Sequence, residues 1–193
     1  MPASVIHLVL AVWCSATPLA TGLHAFALFK GRVTFTAPQS WGVTEVPASD
    51  SFAAILFCIP NPVSEGTADA ANVMLVVRPA PTITSFRAYT DSQFAQATGR
   101  DIQLILTDTT EGDRVRTIFW RGQQGTTPYG IGDIFAVRGG LAIQIRSALP
   151  FLRGLPPDWL PRVSAELNAF LASVKVDGAR VLSSVKTNPD SGR

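Results

Sequence analysis

Residues Ile102 to Leu149 hold four strand signals in succession: "IQLILTD" (Ile102–Asp108), "DRVRTIFWRG" (Asp113–Gly122), "PYGIGDIFAVR" (Pro128–Arg138) and "LAIQIRSAL" (Leu141–Leu149). They are rich in the β-branched and aromatic residues that suit a pleated surface. "TEGD" at Thr110–Asp113 and "RGG" at Arg138–Gly140 supply the Asp and Gly that tight hairpin turns need. Strands joined by such short turns pair antiparallel, so the stretch predicts an antiparallel meander.

Upstream, "SFAAILFCIP" (Ser51–Pro60) and "NVMLVVRP" (Asn72–Pro79) are apolar on both faces, as strands covered on both sides are. Between them "NPVSEGTADAA" reads as a loop. Val33 and Phe35 share a face of an earlier strand, Pro38 to Ser40 form a turn, and Trp41 to Val46 resume strand pattern. Two stretches change period. Phe86 to Thr98 spaces Phe86, Tyr89 and Phe94 roughly helically, with Thr84 or Ser85 to cap it and Gly99 to end it. Pro157 and Asp158 open a second helix, whose apolar stripe is Leu160, Val163, Leu167, Phe170 and Leu171. Segregated strands and helices predict an α+β domain: a mostly antiparallel β-sheet with helices packed on it.

The chain has 193 residues, 47% of them hydrophobic and 16% charged, with a formal net charge of +2. That length fits one domain, and that composition is globular. Near-neutral charge argues against nucleic acid, which wants a strongly basic face. Residues 1–27 contain no Lys, Arg, Asp or Glu, carry an apolar run from Val5 to Trp13, and end in the small-x-small "AFA" of Ala25–Ala27. They read as an export signal, cut after Ala16, Ala20 or Ala27. The alternatives are an uncleaved anchor, which would hold the domain beside a membrane, and a misplaced start. Residues 28–176 read as the single α+β domain, and 177–193 as a polar C-terminal tail. The expected location is periplasmic or secreted.

The run "VTFTAPQSW" (Val33–Trp41) resembles the opening of the PsbP/DcrB-like proteins, and the order of strands, helix, meander and terminal helix ending at "FLASVKV" is similar. The resemblance implies a layered α+β sandwich and an exported or lipid-anchored accessory role. It brings no shared active site. Trp41 then reads as a core seal: the proline ends the strand and the indole closes one end of the core.

Removing residues 1–27 would take both histidines, His7 and His24, and Cys14, leaving Cys58 as a single, buried thiol. Without histidine there is no Ser-His-Asp or Cys-His pair and no His-based zinc site. The sequence has no P-loop, and "YGIGD" (Tyr129–Asp133) lacks the third glycine of a dinucleotide turn; its glycines suit close packing or a bulge. Asp108, Glu111 and Asp113 crowd one hairpin, where they either take a hard cation or serve the turn. No catalytic residue, cofactor or metal is expected.

Arg114, Arg116 and Trp120 alternate onto one face of their strand, and Arg146 shares a face with Gln144. If those strands neighbour each other, Arg114, Arg116, Trp120, Arg146 and Arg138 make a cationic patch beside an aromatic. Such a patch is either a solvated outer face or a protein interface. The expectation is a non-catalytic exported protein that binds a protein partner in an assembly, chaperone or immunity-type role. A small-amphiphile or lipid binder and a carboxylate-dependent hydrolase are the alternatives.

Overall fold

The computed structural model describes residues 22–63, 70–98, 102–111, 114–124 and 126–182. Strands β1 (Leu23–Leu28), β2 (Val33–Pro38), β3 (Gly42–Ser49), β4 (Phe52–Ile59) and β5 (Ala71–Pro79) come first, then helix α1 (Phe86–Thr98). The meander follows as β6 (Ile102–Glu111), β7 (Val115–Gln124), β8 (Thr127–Arg138) and β9 (Leu141–Pro150). Helix α2 (Trp159–Ser173) and the short strands β10 (Lys175–Val176) and β11 (Ala179–Arg180) end the fold. The meander therefore forms as its turns require, and β8 and β9 meet through Gly139 and Gly140 at φ 56° and 71°, the left-handed values of a two-residue hairpin.

Two sheets result. The larger runs β3-β4-β5-β9-β8-β7-β6, antiparallel throughout, and the smaller runs β1-β2-β10-β11. Alternation sorts the large sheet's side chains onto two faces. Ile55, Phe57, Val73, Leu75, Ile134, Ile143 and Ile145 point to the main core, where they meet Val33 and Phe35 of the small sheet and Trp159, Val163 and Phe170 of α2. Ile118, Trp120 and Phe135 point the other way, under Phe94 of α1. This α+β sandwich is mostly antiparallel, with a helix serving each side of the large sheet.

Trp41 is buried against Phe57 and Phe170, with ring centroids 5.8 Å apart in each case. Its Nε1 donates to Glu166 Oε2 at 3.0 Å. The indole closes the core between β3 and α2, as "VTFTAPQSW" suggested.

Four boundaries or placements differ from the sequence reading. Leu23–Leu28, all but its last residue within the expected signal segment 1–27, forms β1 on β2, and Phe26 stacks on Phe35 at 5.4 Å. An uncharged apolar run serves a leader or a strand equally well, so composition did not separate them. Residues 1–21 lie outside the described residues. The expected tail begins inside the fold: Asp177 and Gly178, at φ 48° and 80°, turn β10 into β11, and Val181 and Leu182 are buried in the core. Arg32 fixes this hairpin through Asp177, at 3.0 and 2.7 Å, and through the Gly139 carbonyl at 2.6 Å. Leu160, placed on the packed stripe of α2, is 46% exposed, while Trp159 is buried in its stead with Nε1 donating to the Pro60 carbonyl at 3.1 Å. Cys58 is disulfide-bonded, its partner lying outside the described residues. That corrects its reading as a lone thiol, which followed from discarding the first 27 residues.

The first expected result concerns β1. Because Phe26 packs on Phe35 and Phe57, the native mature chain is expected to start at or before Gly22. N-terminal sequencing from the native host checks this. A mature chain beginning at Leu28 would show that the domain is complete without β1.

Candidate functional site

The four residues expected to form a cationic patch meet different fates. Register places Ile118 opposite Asp133, and Asp133 opposite Arg146, so Arg116, Trp120 and Arg146 do share one face of the large sheet. That face is the one α1 covers. Arg116 is 3% exposed. Its Nε and one terminal nitrogen fork onto Asp108 at 2.8 Å each, and its other terminal nitrogen reaches Asp91 at 2.7 Å and Thr90 Oγ1 at 2.8 Å. Trp120 is buried edge-to-face with Phe94, 5.8 Å between centroids. Arg146 forks onto Asp133 at 2.8 and 3.0 Å and lies 5.5 Å over the Trp120 ring. Arg114 alone of the four is exposed. Arg138, at the β8–β9 turn, donates to the Arg180 carbonyl.

The alternation was read correctly and its environment was not. Arg116 and Trp120 bind α1 to the sheet, and Arg146 is tied to Asp133 over the Trp120 ring, so the three do not form a solvent-facing docking patch. The acidic partners were the missed part. Asp91 lies on α1, remote in sequence from Arg116; Asp108 lies across the β6–β7 hairpin, where sequence offers it to the turn or a cation rather than to arginine; and Asp133 stands in the glycine-rich string of β8. Asp108 of the hairpin carboxylates is committed to Arg116 and Arg87, and Asp113 lies outside the described residues. Among the described residues no group of His, Cys, Asp or Glu is arranged to hold a metal ion.

The hydrogen bonds from Arg116, reinforced by its charge and that of Arg87, hold the Asp108 carboxyl below the ordinary carboxylate range, against the opposing effect of burial. Such a group stabilises the fold fully above its unfolded pKa of about 3.9, and that contribution is lost as pH falls through the lower folded value. Asp108→Asn is therefore expected to lower stability at neutral pH and to flatten the loss of stability below about pH 4. Urea titrations at several pH values measure this; parallel curves for both proteins would refute the role.

The open surface lies elsewhere. β6 is an edge strand, paired only with β7 among the described strands. At its middle Leu104, Ile105 and Leu106 are each about half exposed. The opposite edge, β3, is blunted: it carries Glu45 and Pro47 and a register shift between Val46 and Ser49, the usual protections of a free edge. β6 has register shifts at Ile102/Leu104 and Ile105/Thr107, and then five residues, Thr107–Glu111, in unbroken register with β7.

Beside β6, the core-side face of the sheet continues past the layer that covers it. Register sets Leu104, Arg121, Gly130 and Leu149 in one row, and Thr107, Phe119, Gly132 and Ser147 in the next. Phe119 and Phe151 are half-exposed. The glycines of "YGIGD" explain how the rings lie there: a Cβ at Gly132 would sit 2.9 Å from Phe119 Cε1, and one at Gly130 3.1 Å from Phe151 Cζ. Arg121 holds its guanidinium 5.6 Å over the Phe151 ring. Leu104, Phe119, Phe151 and Arg121 thus form an aromatic shelf with one cation, joined to an edge strand whose regular part is Thr107–Glu111. Sequence reading missed it because Phe119 adjoins Trp120, and nothing local tells which of two neighbouring aromatics the core takes.

No protein-family profile and no curated protein matches the sequence. Solved structures do match the fold. The overlap with cyanobacterial PsbP (CyanoP) of Synechocystis sp. PCC 6803 covers 84% of this chain and 96% of that one, at a TM-score of 0.52 and 16% identity. A mutant of the protein Mog1 overlaps 81% of this chain and 96% of its own, at a TM-score of 0.49 and 11% identity. A Bacteroides thetaiotaomicron protein overlaps 79% of this chain and 47% of its own, at 0.45 and 13%. At such identities only the architecture is carried across. The chain has the PsbP-like α+β fold that its opening strand, proline and tryptophan resemble.

Proposed function

We propose that this is an exported, non-catalytic protein that docks a protein partner along the open β6 side of its large sheet. The carrying observation is the exposed Leu104 of edge strand β6, in the row of Arg121 and beside the half-exposed rings of Phe119 and Phe151, with Ile105 and Leu106 also half exposed along the edge. Contiguous apolar surface of this kind marks an interaction site rather than scattered surface residues. A free edge also offers unpaired backbone N–H and C=O groups to an incoming strand. The non-catalytic part is supported by how the buried charges are used. Arg116 is spent on Asp91 and Asp108, and Arg146 on Asp133, each holding structure together. Export is supported by the uncharged apolar N-terminal sequence. No helix among the described residues is long and apolar enough to cross a membrane.

A photo-crosslinking residue placed at Leu106 tests the reading in the native host, with the same residue at Thr44 of β3 as control. The expected result is a discrete adduct from position 106 that position 44 does not give and that Phe119→Asp abolishes. Equal adducts from both edges, or none from 106, would overturn it.

A further inference from the structure

We propose that the occupant of this surface is an extended peptide segment of the partner carrying a carboxylate flanked by aliphatic side chains, with the carboxylate received by Arg121; the inference rests on the docking reading above. The argument is one of charge. Most arginines near the sheet are already satisfied: Arg116 by Asp108 and Asp91, Arg146 by Asp133, Arg32 by Asp177 and Arg78 by Gln93. Arg121 is exposed, stands in the middle of the apolar shelf, and has an aromatic ring as its neighbour, with no carboxylate paired to it among the described residues. A cation–π contact engages the guanidinium while its N–H donors remain suited to a bidentate carboxylate. Covering Leu104 and Phe119 with aliphatic groups would also exclude water around the ion pair and strengthen it.

The choice of a polypeptide over an anionic amphiphile follows from the edge. A fatty-acid carboxylate could meet Arg121 and the shelf, but it offers nothing to the backbone of β6. A strand alongside Thr107–Glu111, the regular part of β6, would supply backbone hydrogen bonds, and where it continues past Thr107 its side chains would come beside Leu104, in the row of Arg121.

Fluorescence anisotropy with labelled, end-capped peptides of sequence Val-Thr-Val-Glu-Val-Thr-Val, and with Gln or Lys in place of Glu, tests this on the full chain. The Glu peptide is expected to bind saturably, and the Gln peptide at least tenfold more weakly. Arg121→Glu is expected to reverse the order in favour of the Lys peptide. Its unchanged circular dichroism and melting temperature would show that the fold is intact. Equal binding of the Glu and Gln peptides, or an order indifferent to Arg121→Glu, overturns the carboxylate assignment while leaving docking at β6 standing. Binding of decanoate but of no peptide overturns the peptide assignment. Absence of all peptide binding overturns the inference, and the crosslink from position 106 then decides separately whether the docking reading survives.

Discussion

Phe170→Ala is expected to destabilise the protein by about 3–5 kcal/mol, the range for deleting a fully buried aromatic from a packed core. Phe170 is 1% exposed and sits where α2 meets β2, β4 and the turn that carries Trp41. Its ring centroid lies 5.6 Å from Phe35 on β2, 5.8 Å from Trp41 and 5.7 Å from Phe57 on β4. The contacts with Phe35 and Phe57 are edge-to-face, the arrangement the ring quadrupoles favour. Truncation would leave a void lined by three rigid rings, one from each sheet and one from the turn between β2 and β3, and rigid walls collapse poorly into a cavity. Leu160→Ala on the same helix is the control. That side chain is half in solvent, and its loss should fall within about 0.5 kcal/mol. Urea unfolding of both variants, followed by tryptophan fluorescence, gives the comparison. Equal midpoints for the two would contradict the placement of α2 over the small and large sheets.

How far the sequence discloses this molecule depends on whether a feature is local. The meander, the Phe86–Thr98 helix and the β8–β9 turn rest on short-range rules of turn chemistry and periodicity, and they form where those rules put them. Asp177-Gly178 is also a short-range hairpin signal, passed over because the polar residues that follow suggested a tail. The phase of α2 slipped because its first turn had two apolar neighbours, Trp159 and Leu160, and Pro60 on a distant loop supplied the acceptor that draws the indole inward. The arginine face fails for a similar reason. Alternation correctly placed Arg116, Trp120 and Arg146 on one side, but whether that side meets water depended on α1. Asp91 and Thr90 on that helix and Asp108 on β6 convert an apparent patch into a buried ionic clamp. The aromatic shelf is legible only after the fact: glycines spaced two apart on β8 leave room for rings contributed by β7 and by Phe151 just beyond β9.

Asp133→Val should cost about 3–5 kcal/mol, the penalty for breaking a buried ion pair from one side. Asp133 is completely buried. Its two oxygens accept from Trp120 Nε1 at 2.7 Å and from Arg146 at 2.8 and 3.0 Å. The substitution removes the carboxylate from a guanidinium whose side chain is only 18% exposed, and it takes the acceptor from a buried indole N–H. Arg146→Met is expected to be comparably damaging, since it takes the guanidinium from the buried Asp133 carboxylate and leaves the Trp120 indole N–H donating to it. The double variant, Asp133→Val with Arg146→Met, should be far less destabilised than the sum of the two, because an apolar pair of similar volume carries no desolvation penalty. The shortfall from additivity in this cycle measures the coupling. Additive losses would mean that Asp133 and Arg146 act independently and that the pair does not hold β8 to β9 beneath α1. The cycle also separates the two arginines most easily confused in a binding experiment. Loss of partner binding in an Arg146 variant is expected to track its loss of stability, whereas an Arg121 variant should lose binding with its melting temperature unchanged.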